Sequence, residues 1–138
     1  MRIEISSVPS VGQMSLEEKL LPENLDLDTP HIHFDQPIRV THLVSKGKNS
    51  LSADSRLESG FTLTCCRCLK EISVPLSRRF KNNLHVDSSV QFVDTIDWIR
   101  EEIMLNYPLK PLCKAECLGL CKICGVNLNE RGCSCAST

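Results

Sequence analysis

The nine cysteines of this chain fall in two tight clusters, Cys65, Cys66 and Cys68, then Cys113, Cys117, Cys121, Cys124, Cys133 and Cys135. Thiolates are soft donors, and four of them complete the tetrahedron a zinc ion prefers, each at ~2.3 Å. Two cysteines separated by two residues can turn back onto one ion, because the intervening amides point inward. Cys121-Lys122-Ile123-Cys124-Gly125 has that spacing, and Gly125 supplies the positive φ that lets the chain leave the knuckle. A short loop to Gly132 then leads to Cys133-Ser134-Cys135, so Cys121, Cys124, Cys133 and Cys135 form one expected site. Cys65 and Cys68 make a second knuckle, while Cys113 and Cys117, four apart, share a face of one helical turn, giving the other expected site. Cys66 is left over as a small buried hydrophobe. A swapped pairing, or a single site of mixed ligands, stays open on spacing alone.

Disulfides fit this pattern poorly. The count is odd, and Cys65/Cys68, Cys121/Cys124 and Cys133/Cys135 lie too close in sequence to staple a fold. Residues 1–11 show no basic n-region or apolar h-region, and no run of 18 apolar residues occurs, so a reduced, cytoplasmic chain with no membrane partner is expected. A catalytic metal keeps an open position for water and commonly uses histidine or carboxylate. Here His31, His33, His42 and His85 lie away from every cysteine pair, no H-E-x-x-H pattern occurs, and no Gly-rich phosphate loop is present. His31-Ile32-His33 is taken as structural. The expectation is two structural zinc ions and no catalytic residues.

The elements that must position these thiols follow from periodicity. Ile38, Val40, His42 and Val44, and then Leu51, Ala53, Ser55 and Leu57, alternate with their neighbours around a turn at 46–49. Strands are expected near 37–45, 50–64 and 71–85, forming an antiparallel β-meander interrupted by the first knuckle. Residues 2–8 suggest a short strand, Ser15 and Glu18 suggest a capping box opening a short helix that Pro22 stops, and 25–30 suggests an acidic loop. From Asp94, as N-cap, Ile96, Ile99, Ile103 and Tyr107 recur at helical spacing until Pro108, with Trp98 facing the core or a partner. The fold class is therefore α+β: a β-meander with one main helix and a Cys-rich, metal-stapled C-terminal segment. Three parts are distinguished, an acidic segment 1–36 packing on the core, a sheet-plus-helix core 37–112, and a zinc-binding segment 113–138.

Charge divides along the same lines. Residues 1–36 carry two basic against seven acidic groups, 37–85 carry nine against three, and the remainder five against seven, for a net charge of −1. The basic centre could meet a polyanion, and Arg67, Lys70, Arg78, Arg79 and Lys81 are the candidate contacts for it. In a regular strand Arg78 and Arg79 face opposite ways. Aromatic residues make up only 4%, which argues against reading RNA by base stacking.

The stretches Leu63-Thr64-Cys65-Cys66-Arg67-Cys68-Leu69, 101–113 (Glu-Glu-Ile-Met-Leu-Asn-Tyr-Pro-Leu-Lys-Pro-Leu-Cys) and 117–129 (Cys-Leu-Gly-Leu-Cys-Lys-Ile-Cys-Gly-Val-Asn-Leu-Asn) together resemble the YceD-type large ribosomal RNA subunit accumulation proteins. The resemblance spans about residues 25–135. Members of that family differ in whether the last cysteines are present, so it supports the Cys65/Cys68 knuckle more than the C-terminal site. It implies a factor needed for large-subunit ribosomal RNA accumulation, in precursor processing or early assembly, whose partner is that RNA, its precursor, or ribosomal proteins. It implies no reaction. Two other functions are weighed beside it, a metal-dependent RNA-processing nuclease and a thiol-based redox or zinc sensor.

Overall fold

The computed structural model describes residues 1–135; positions 136–138, the end of the expected zinc-binding segment, lie outside the described residues. The strands are β1 (Arg2–Glu4), β2 (Met14–Leu20), β3 (Ile32–Phe34), β4 (Ile38–Lys46), β5 (Ser50–Thr64), β6 (Glu71–His85) and β7 (Phe92–Asp94), followed by one helix, α1 (Ile96–Leu105). Alternation makes the central strands. Ile38, Val40, His42 and Val44 of β4, and Leu51, Ala53, Ser55 and Leu57 of β5, point to one buried face, and the strands pair antiparallel from Arg39↔Glu58 to Lys46↔Leu51. The turn between them closes where the Gly47 N–H donates to the Ser50 carbonyl at 2.7 Å.

β6 runs along the whole of β5, from Ser50↔His85 to Thr64↔Glu71. The other edge of β5 is shared by β4 and, beyond it, by β3, which pairs Ile32↔Leu63 and Phe34↔Phe61. β2 completes the sheet on the outer side of β4. β1 and β7 form a separate two-stranded ribbon. The architecture is thus an antiparallel sheet with one helix and a Cys-rich C-terminal segment.

Several local expectations are corrected. Residues 14–20 form a strand, not a capped helix: Leu16, Glu18 and Leu20 alternate inward, and the edge of β4 supplies the backbone partners that an isolated short helix would lack. Glu18 caps nothing. The first strand stops at Glu4 and gives way to a 3-10 turn, Ile5–Ser7. The acidic stretch at 25–30 carries two core anchors, Leu25 and Leu27, which are 1% and 2% exposed. β3 and β7 are additional strands, so the sheet is more than a meander. The helix is shorter than 94–107; Asp94 does accept the Ile96 N–H through Oδ1 at 3.1 Å, but Thr95 occupies the cap position.

One face of the sheet is covered in two halves. Ile99 and Ile103 of α1 are buried against Leu25, Leu27, Phe34, Val40, Leu57, Phe61 and Leu76, and each contributes roughly 1.5–3 kcal/mol by leaving water. Tyr107, one further turn along, donates to the Leu27 carbonyl at 2.7 Å and pins the acidic loop beneath the helix end. The second half buries Ile3, Ile5, Val8, Val44, Leu51, Ala53 and Val86, with Trp98 packed against them. A polar chain is buried beneath this cover. His42, fully buried, shares Nδ1 with Ser55 Oγ at 2.7 Å and Nε2 with Glu18 Oε1 at 3.1 Å. Glu18 also accepts from Thr95 Oγ1 at 3.1 Å and pairs with the Met1 ammonium at 3.1 Å. These bonds satisfy groups that would be costly to bury alone.

Candidate metal centres

The first knuckle is the turn of the longest hairpin. β5 ends at Thr64, and Cys65 then closes the loop twice, its N–H donating to the Lys70 carbonyl at 2.9 Å and its carbonyl accepting the Leu69 N–H at 3.0 Å. The tightness forces Leu69 into the left-handed region at φ 59°. Beyond α1 the chain returns to this turn, where the Pro111 carbonyl accepts the Cys66 N–H at 2.9 Å. Cys113 and Cys117 follow, spanned by a Cys117 N–H to Lys114 carbonyl bond of 3.2 Å.

The result is one cluster, Cys65, Cys68, Cys113 and Cys117, whose sulfurs all lie within 4.8 Å of one another. Cys65 Sγ is 3.7 Å from Cys117 Sγ, and Cys68 Sγ is 3.6 Å from Cys113 Sγ. The edge of a tetrahedron with ~2.3 Å metal–sulfur bonds is ~3.8 Å, whereas a disulfide needs ~2.05 Å. Both distances are close to that edge and far from a disulfide. Leu112 and Leu120 pack against the cluster.

The second cluster is Cys121, Cys124, Cys133 and Cys135, also within 4.8 Å of one another. Its loop is held by the Cys121 N–H to Val126 carbonyl at 2.8 Å, the Gly125 N–H to Cys121 carbonyl at 2.9 Å, and the Leu128 N–H to Gly119 carbonyl at 2.9 Å. Gly125 has φ 74° with open space where a Cβ would stand, and Gly119 has φ 79° with that position only 3.2 Å from the Arg67 carbonyl oxygen. The second glycine therefore lets the tail lie against the first knuckle.

The thiols are electrically uneven within each cluster. Burial disfavours the Cys65 thiolate, yet the amides of Cys68, Arg67 and Cys113 draw its pKa down to about 6. Burial and the neighbouring thiols push Cys113 up to about 12. In the second cluster the amides of Cys124 and Ile123 bring Cys121 down to about 6, while Cys135 is driven up to about 11 by Cys124 and by burial. Four sulfurs this close cannot share four negative charges unaided; a divalent cation among them removes the repulsion and takes all four as thiolates. Both clusters can hold a metal ion on these grounds. Cys66 joins neither and is exposed, contrary to its expected burial.

The basic candidates do not form one patch. Arg67 is exposed but donates from Nη1 to the Cys117 carbonyl at 2.9 Å. Arg79 makes a two-pronged bond to Asp54, Nε to Oδ1 at 2.8 Å and Nη2 to Oδ2 at 2.7 Å. Lys81 lies opposite Asp54 on the same outer face, while Arg78 lies opposite Leu57 and so belongs to the other face. Lys70 lines a cavity of about 280 Å³ with Cys68, Cys113 and Lys114, beside the first cluster. One contributor was not singled out from spacing: Asn129, whose Nδ2 donates to Cys117 Sγ at 3.4 Å and whose Oδ1 accepts the Leu118 N–H at 2.9 Å. The only local signal is its place in an Asn-Leu-Asn turn. No helix among the described residues is long and apolar enough to cross a membrane.

Comparison with known proteins places the similarity in this segment. Residues 82–138 match the family described as large ribosomal RNA subunit accumulation protein YceD. A protein of Arabidopsis thaliana named large ribosomal RNA subunit accumulation protein YCED homolog 1, chloroplastic, is 34% identical over 56 residues, 41% of this chain and 17% of that protein's length. No solved structure matches the chain significantly. The match is narrower than the 25–135 expected, and it includes Cys113, Cys117 and the four thiols of the second cluster while leaving out Cys65 and Cys68.

Proposed function

From the YceD resemblance carried by residues 82–138, we propose that this chain is a non-catalytic factor needed for large-subunit ribosomal RNA accumulation, acting in precursor processing or early assembly, with two structural zinc ions. The observation that carries this reading is the donor set. The segment that resembles the family contributes six of the eight clustered thiols, and each cluster offers four sulfurs within 4.8 Å of one another. Such a set closes the coordination sphere of zinc, whereas a hydrolytic metal needs a position for water. Among the described residues, the two groups that could hold a metal are both all-thiol sets, which favour the structural reading over the nuclease. Reduced thiols of this number suit the cytoplasm, the compartment this reading assigns.

Docking is proposed to be direct, on the phosphates of the RNA or its precursor. Lys70 and Lys81 form no ion pair among the described residues and carry this role best, while Arg67 and Arg79 already bond protein acceptors and Arg78 belongs to the other sheet face from Lys81. The test is binding of zinc-loaded protein to precursor ribosomal RNA across a salt series. Affinity should fall steeply with salt, and replacing Lys70 and Lys81 with Ala should flatten the slope without unfolding the chain. Unchanged affinity and slope would transfer docking to ribosomal proteins, and metal-dependent cleavage of the RNA would restore the nuclease.

A further inference from the structure

The two clusters differ in how they are built into the molecule. Three thiols of the first, Cys65, Cys68 and Cys117, are 0%, 5% and 3% exposed. In the second only Cys121 is buried; Cys133 and Cys135 are half-buried and Cys124 is exposed. The first cluster joins the β5–β6 turn to chain more than 40 residues further on, and bonds from Cys66 to Pro111 and from Arg67 to Cys117 close the same junction. The second draws all its ligands from residues 121–135, and its backbone bonds run within the tail rather than to the sheet.

We propose that the second cluster is an exchangeable site for a soft divalent cation, releasing and reloading it while the first cluster stays filled. The inference rests on the structural-zinc reading and divides it between two unlike sites. Metal leaves a thiolate site when an incoming ligand reaches the ion or its sulfurs. At the second site Cys124 is open to that approach, whereas at the first three thiols are buried, only Cys113 is half-buried, and Leu112 and Leu120 pack against the cluster. Opening differs as well. Emptying the second site loosens one short loop, a local event near the low end of the stability range. Emptying the first separates the hairpin turn from the returning chain and so disturbs the core. Reloading is also easy at the second site, because its ligands stay tethered within a short loop whose closure entropy is small.

The experiment exposes the reduced, zinc-loaded full chain to EDTA. Native mass spectrometry counts ions per chain, and pulsed iodoacetamide with peptide mapping identifies the thiols released. A one-ion chain should accumulate, the first ion leaving at least ten times faster than the second. Alkylation in that phase should fall on Cys121, Cys124, Cys133 and Cys135, with Cys66 labelled from the start and the near-ultraviolet signal of Trp98 unchanged. Cd²⁺ added to the one-ion chain should restore protection of the same four thiols. Loss of both ions in one phase, or earlier labelling of Cys65, Cys68, Cys113 and Cys117, overturns the inference alone. A reduced chain isolated with no metal overturns the zinc reading beneath it.

Discussion

Arg67 Nη1 donates to the carbonyl oxygen of Cys117 at 2.9 Å, across a sequence separation of 50 residues. The guanidinium inside the first knuckle thus fastens the β5–β6 turn to the chain that brings the other two thiols. A charge counted among the candidate phosphate contacts bonds the protein's own backbone, and a formally dianionic zinc tetrathiolate beside it would hold it there more strongly.

Replacing Arg67 with Ala should therefore destabilise the chain by about 1–2 kcal/mol, the scale of a charge-assisted bond discounted for exposure. It should also speed metal release from the first cluster. Thermal unfolding and chelator kinetics measure both, and the salt dependence of RNA binding should stay as in the unaltered chain.

Gly119 and Gly125 provide a matched comparison. Both have positive φ, so Ala at either position costs roughly 1–2 kcal/mol in backbone strain. At Gly119 the added methyl also meets the Arg67 carbonyl oxygen at 3.2 Å, whereas at Gly125 it meets nothing within 4 Å. Gly119→Ala should lower the melting temperature more than Gly125→Ala, and only Gly119→Ala should loosen the contact between the tail and the first knuckle. Equal effects in urea unfolding would remove the packing argument.

Glu18 makes stability depend on acid. Burial pushes its pKa up, but the bonds from His42, the Met1 ammonium and Thr95 outweigh burial and leave it below the ordinary 4.5. A carboxyl depressed on folding contributes its full stabilisation above the unfolded pKa and loses it as pH falls through the folded one. The loss should thus begin below about pH 4.5. Glu18→Gln should cost about 1–3 kcal/mol at pH 7, and the difference between the two chains should shrink in urea titrations as pH falls below about 4.5.

Arg79 is held by Asp54, which lies on the outer sheet face beside Lys81. Asp54→Asn should release that guanidinium for a phosphate. If RNA docks on this face, the slope of log affinity against log salt should become steeper by about 0.7–0.9, the value for one further phosphate contact. A slope that does not change places the docking surface elsewhere.

Local pattern determined a large share of this molecule. Alternation at 38–44 and 51–57 specified β4 and β5, because a strand with one buried face imposes period two on whatever sequence forms it. The spacing of Ile99, Ile103 and Tyr107 specified a helix with one apolar stripe. Cysteine spacing pointed to two groups of four, since a knuckle is a local turn whose geometry two intervening residues set. Tertiary structure decided what no window contains. Residues 14–20 became β2 because β4 offered an edge to pair with, and Glu18 found His42 and the Met1 ammonium only once that strand was in place. Arg67 and Arg79 bond acceptors distant in sequence, the Cys117 carbonyl and Asp54, which no local window brings beside them. The unequal burial of the two clusters follows from where the hairpin turn and the tail meet, and contacts between segments so far apart are set by packing, which leaves no period or spacing behind.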